Sequence, residues 1–354
     1  MTVHTPAPAL KGAVLALLAA TLFGLSTPLV QHFGQGLGAL TTAALLYAGA
    51  AAAALFMRHP PAREASLRRT DAPRILAMAA FGAVIGPVAL AWGLQRTSGS
   101  SASLMLSLEA LFTAVLAWRL YGETMDRRVG MAMLLLLAGG MALVLEQGLA
   151  GNAQLWGLLA VLGATAAWGL DNTLSRGVSE RDPGQVVLAK SVLGVIATAS
   201  LALLLGEPVP AGSAAAALLA IGATGYGMSL RLYLLAQRAF GAGRTGSVFA
   251  FAPFIGALAA FAIGNRAGTW MLVIGGALML AGVVLHLFES HGHTHDHESL
   301  AHEHAHTHDD GHHLHSHAPM PLGAHSHNHQ HAPLQHAHPH VPDAHHKHPQ
   351  CGCR

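Results

Sequence analysis

The sequence predicts an all-α integral membrane protein: ten transmembrane helices in two inverted five-helix repeats, followed by a disordered cytoplasmic tail. Three observations predict it. Of the 354 residues, 52% are hydrophobic and only 10% charged, whereas soluble domains carry roughly a quarter charged residues. The chain changes character near Ser290, because its last 64 residues hold 22 of the 26 His and 8 of the 36 charged residues. Before that point it reads as successive apolar stretches of about 20 residues, the length that crosses a hydrocarbon core of ~30 Å. A soluble enzyme core is excluded. So is a secreted disulfide scaffold, since the two cysteines, Cys351 and Cys353, both lie in the tail.

The ten stretches are 12–31, 37–57, 74–94, 99–120, 129–145, 155–175, 185–205, 213–235, 244–263 and 269–288. Most joins are short. The longest, Met57 to Arg74, carries a Pro pair and five Arg and cannot sit in lipid. With the N-terminus inside, the inner loops hold thirteen Lys and Arg, against only Arg96 and Arg266 outside. That bias places both termini in the cytoplasm of a multi-pass plasma or inner membrane protein.

The chain also resembles itself. GAVLALLAATLFGLSTPLVQ (Gly12–Gln31) aligns with GLLAVLGATAAWGLDNTLSR (Gly157–Arg176) at an offset of 145, with six identities that include Gly24/Gly169 and Leu25/Leu170. Gln95-Arg96 recurs as Gln237-Arg238. The first stretch is therefore read as a permanent helix, not a signal peptide. Five helices per copy is an odd number, so the copies must lie in opposite orientations, the build of secondary transporters. The expected units are 1–11 (cytoplasmic N-terminus), 12–145 and 155–288 (the repeats), and 289–354 (the tail).

The stretch SLEALFTAVLAWRLYGE (Ser107–Glu123) resembles the fourth-helix pattern of EamA-like permeases in the drug/metabolite transporter superfamily, matching at Leu108, Glu109, Gly122 and Glu123. Ala110 replaces the usual Pro. The second copy, FAPFIGALAAFAIGN (Phe251–Asn265), keeps Pro253 and Gly264 but has Ala252 and Asn265 for the two Glu. The resemblance covers about residues 12–288. It implies two EamA-like units and an ATP-independent permease for small organic solutes, often an exporter, and no enzyme activity.

An ionisable group inside a span costs roughly 2.5–3.5 kcal/mol on insertion scales and usually marks function or a buried pair. Glu109, Asp171, Lys190 and Arg231 qualify. Glu109 falls about 15 Å into its helix, near the midplane. With Ser103 and Ser107 it forms one expected substrate or proton site, with Asn172, Tyr226 and Gln95 as weaker candidates. Asp171, Lys190 and Arg231 lie nearer the cytoplasm and form an expected ion-pair cluster locking the inner gate. Gly82-x-x-x-Gly86 and Gly256-x-x-x-Ala260-x-x-x-Gly264 read as close-packing faces. Pro28, Pro87 and Pro253 read as local helix breaks, Pro87 foremost. Trp92, Trp118, Trp156 and Trp270 read as interface anchors.

The tail opens HGHTHDHESLAHEHAHTHDD (His291–Asp310). Neutral imidazole is a ligand for Zn, Ni, Co and Cu. The expected metal ligands are His291, His293, His295, His297, His302, His304, His306, His308, His312, His313, His315, His317, Cys351 and Cys353. His302-Glu303-His304-Ala305-His306 matches the zinc-protease spacing H-E-x-x-H, but with His at nearly every second position the match carries no catalytic meaning. No cofactor is required.

Transport of a small metabolite, amino acid or drug leads. A divalent-metal permease using the tail is the alternative, and a membrane-anchored metal store or sensor is a second one. The expected partners are the lipid bilayer, the small-molecule substrate, a coupling proton and a second copy of the chain in a homodimer, with no nucleic acid.

Overall fold

The computed structural model describes residues 8–58, 64–121, 127–240, 242–264, 269–287, 291–297, 300–306, 325–331 and 334–340. Among these, nine helical stretches are long and apolar enough to cross a membrane: α1 (Leu10–Phe33), α2 (Ala39–Met57), α3 (Arg69–Leu94), α4 (Gly99–Leu120), α5 (Arg127–Ala150), α6 (Asn152–Val178), α7 (Pro183–Leu204), α8 (Gly212–Ala239) and α9 (Thr245–Ala262). A shorter apolar helix follows, α10 (Trp270–Leu285). Two starts show local chemistry: Ser98 Oγ accepts from the Ser101 amide before α4, and Asp182 accepts from the Gly184 amide before α7, with Pro183 in the first turn.

The helices form one bundle. α1 packs on α8 and α9, α6 packs on α3 and α4, and α2–α7, α4–α9 and α5–α10 pack against each other. Small residues make the closest approaches. A Cβ on Gly24 would fall 2.3 Å from the Ala252 carbonyl oxygen, so α1 and α9 touch there backbone to backbone. Large apolar side chains such as Leu137, Ile196, Leu203 and Val273 are exposed around the rim, a surface that lipid must cover.

Two spans are not regular. α3 runs as a π-helix over Ala79–Ile85, and α8 does so over Gly222–Met228. The first bulge lies directly before Gly86-Pro87, where the missing amide and the ring's clash with the preceding turn disturb the α ladder. The second has no Pro and instead contains Gly222, Gly225 and Gly227. α4 and α9 also break, at 106–107 and 250–251. Pro253 opens the second half of α9, whereas α4 breaks with Ala110 in the matching place. The kink therefore does not need that Pro. Pro28 sits inside α1 without ending it.

The tail departs from the expectation of disorder over its described residues. β1 (His291–His297) pairs antiparallel with β4 (Leu334–His340), and β2 (Leu300–His306) with β3 (His325–His331). His at every second position is the two-residue period of a strand, and a backbone ladder needs no apolar surface. His308, His312, His313, His315, His317, Cys351 and Cys353 lie outside the described residues, as do Gly122, Glu123 and Asn265.

Candidate functional site

The charges inside the spans come together in the bundle core. Lys190 on α7 donates to Asp171 Oδ2 on α6, and both side chains are buried. Asn172, the next residue on α6, donates to Glu109 Oε1 on α4. The midplane carboxylate and the ion pair, expected as two separate sites, are thus one connected cluster across α4, α6 and α7.

α3 closes its remaining side. A Cβ on Gly82 would lie 2.2 Å from Asp171 Oδ2 and 2.6 Å from Lys190 Nζ, so only glycine leaves room for the pair. The Gly82 carbonyl, inside the π-bulge, accepts from the Tyr47 hydroxyl and, at 3.0 Å, from Trp168 Nε1. An aromatic group seals the core beside it: Phe23 lies 5.5 Å from Trp168 and 5.9 Å from Tyr226 between ring centres, and Tyr47 lies 5.6 Å from Tyr226. One oxygen, Asp171 Oδ1, has no hydrogen-bond partner among the described residues.

Several expected members stand elsewhere. Arg231 is not in the ion pair, and its buried Nε has no hydrogen-bond partner among the described residues. At the end of α8 the ion-pairing basic residue is Arg238. Ser103 and Ser107 are buried but neither bonds Glu109; their hydroxyls have no partner among the described residues, and Ser103 packs against Gly256 on α9. Gln95 lies at one mouth of the bundle, where its amide donates to the Leu37 carbonyl at 2.8 Å. In the other direction, sequence reasoning missed Tyr47 and Trp168, and read Gly82 only as part of a close-packing face. The available signals were a phenol in the middle of an apolar span and a Trp one turn before Asp171.

The two ends of the bundle differ. At one end, residues 64–74 are zipped to 177–185 and α8. One guanidinium nitrogen of Arg238, Nη1, donates to both Glu64 carboxylate oxygens, at 2.8 and 3.0 Å, and Nη2 donates to the Arg181 carbonyl at 2.9 Å. Arg181 pairs with Asp71 at 3.0 Å, and the Asp182 amide donates to the Ala65 carbonyl at 2.8 Å. At the other end lies an open cup of about 1220 Å³. Its wall includes Gln31, Gln95, Arg96, Glu146, Thr269 and Trp270.

This arrangement holds a polar core between a closed end and an open one, inside a lipid-facing bundle. That can guide a solute; among the described residues no group of three or more His, Cys, Asp or Glu is placed to hold a metal.

Comparisons with known proteins agree. An "Uncharacterized transporter" of Methanothermobacter thermautotrophicus (strain ATCC 29096 / DSM 1053 / JCM 10044 / NBRC 100330 / Delta H) is 28% identical over 300 residues, covering 78% of this chain and 86% of its own. A protein of known crystal structure matches with a TM-score of 0.56 at 20% identity, over 78% of this chain and 95% of the other, a likeness of fold alone. The profile of the EamA-like transporter family matches twice, over 10–145 and 155–288. The protein is therefore a multi-pass membrane transporter and not an enzyme, and the chain belongs to the EamA-like transporter family of the drug/metabolite transporter superfamily.

Proposed function

We propose that this transporter exports a small organic solute, such as a metabolite, amino acid or drug, by alternating access between two inverted five-helix halves. The observation that carries the reading is the connected cluster Glu109–Asn172–Asp171–Lys190, half-buried at Glu109 and Asn172 and buried at Asp171 and Lys190, where helices of the two halves meet. α10 completes ten spans. A build of two like halves is supported by the helix pairs named above, which map onto one another when each helix is exchanged with the one five later, and five spans per half inverts one half against the other. Loop charge supports a cytoplasmic position for the Glu64–Arg238 end and both termini, with the cup facing outside. Glu109 is the group through which a proton couples to the solute.

The test is flux into proteoliposomes across a panel of amino acids, amines, drugs and divalent metals. Solute flux that disappears or uncouples from pH in Glu109→Gln, with insertion intact, is the expected result. Normal flux and pH dependence in that variant refute the assignment. A reporter fused after Arg354 and active only outside the cytoplasm refutes the topology.

A metal role for the tail is a second reading, favoured by the strand register. It sets His291 against His340, His293 against His338, His302 against His329 and His304 against His327. Flux of divalent metals alone turns this into the main function, and metal binding with no flux of any kind leaves a store or sensor.

A further inference from the structure

Glu146, at the end of α5, is 8% exposed and lines the cup. One carboxylate oxygen, Oε1, accepts from the Thr269 hydroxyl just before α10. The other, Oε2, is buried with no hydrogen-bond partner among the described residues. Burying half a carboxylate unpartnered is expensive, and helix packing alone does not call for it. The basic side chain in the same wall does not answer it. Arg96 stacks its guanidinium 3.8 Å from the Trp92 ring centre and donates to the Trp92 carbonyl at 2.9 Å. Gln147 and Gln31 are also engaged, Gln147 with Thr97 and Ser101 and Gln31 with the Leu94 and Thr97 carbonyls. They hold the 94–101 segment as a rigid wall, and the Glu146 oxygen is left over.

We propose that the cup is a binding site for a small solute carrying an ammonium group, with Glu146 accepting from that group. A cation with N–H donors supplies what Oε2 lacks, in charge and in hydrogen bonding. Trp270 and Leu149 in the wall give an apolar or aromatic body a surface, and Gln35 and Gln154 give it further polar contacts. The site is distinct from the Glu109–Lys190 cluster. It rests on the transporter reading only for what happens to the solute next.

The experiment uses the full-length chain in lipid nanodiscs and calorimetric titration with phenethylammonium chloride, with 2-phenylethanol as the uncharged analogue. The wild-type chain is expected to bind the ammonium at least about tenfold more tightly than the alcohol. Glu146→Gln keeps the shape and removes the charge, and is expected to lose about tenfold or more. Should Glu146→Gln fail to insert, Glu146→Asp, which withdraws the carboxylate by one methylene, is expected to show the same loss. Two results overturn the proposal: no binding by the wild-type chain, or binding by the Glu146 variants equal to that of the wild type. No flux is measured, so a failure of the transport reading and a failure of this site remain distinguishable.

Discussion

The buried Asp171–Lys190 pair makes a quantitative expectation. At a hydrogen-bond separation of ~3 Å and an effective dielectric of ~20, two unit charges attract by about 5 kcal/mol. Removing either partner strands the other among apolar helices, which costs about 3–5 kcal/mol, whereas removing both can be nearly neutral. Asp171→Asn and Lys190→Met are near-isosteric choices. Each single variant is expected to lower the unfolding temperature of the reconstituted protein clearly, and the double variant to recover most of the loss. The coupling in that cycle is expected to reach several kcal/mol. Flux adds a second readout, since the Asp171 neighbour Asn172 bonds Glu109 and a displaced α6 would misplace that carboxylate. If the losses of the two single variants simply add, the residues do not act as a pair, and the core cluster described above is wrong.

Gly82→Ala puts a methyl group 2.2 Å from Asp171 Oδ2 and is expected to cost about 1–3 kcal/mol as overpacking; an unfolding temperature and flux equal to wild type would refute the close fit. At the closed end, Glu64→Ala removes the partner of Arg238, and a cysteine placed at Ser179, 6% exposed, is expected to react several-fold faster with an impermeant maleimide. An unchanged labelling rate means that the ion pair does not hold that end shut. For the tail, full-length protein is expected to bind several Ni²⁺ or Zn²⁺ ions near pH 7.5. It should lose most of them below about pH 5.5, because only neutral imidazole ligates and its reference pKa is about 6.5. A chain ending at Ser290 is expected to lose that binding and keep its flux, and flux lost without loss of protein would put the tail in the pathway.

Much of this was legible one residue at a time. Apolar length marked the spans, because a bilayer imposes nearly the same ~30 Å on every crossing, and Glu109, Asp171 and Lys190 stood out because charge is costly there. The 145-residue offset that aligns Gly24 with Gly169 also marked the two family units. Partnership was a different matter. Depth along a helix says nothing of rotation about its axis, so Arg231 looked as suitable a partner as Lys190, and Ser103 and Ser107 looked better placed than Asn172. Which of them meets Asp171 or Glu109 depends on packing between helices, and the bulge at Gly222–Met228 changes the rotation of α8 just ahead of Arg231. Tyr47 and Trp168 were invisible for the same reason: their hydrogen bonds go to the Gly82 carbonyl, which a regular α ladder would engage internally. The ion pairs of Glu64 and Asp71 join segments more than a hundred residues apart, and only the folded bundle brings them within reach. Sequence by itself determined what must lie in the membrane and which charges must be explained there. Tertiary structure decided which side chains explain them, because that choice rests on distances of a few ångströms between helices that no local pattern records.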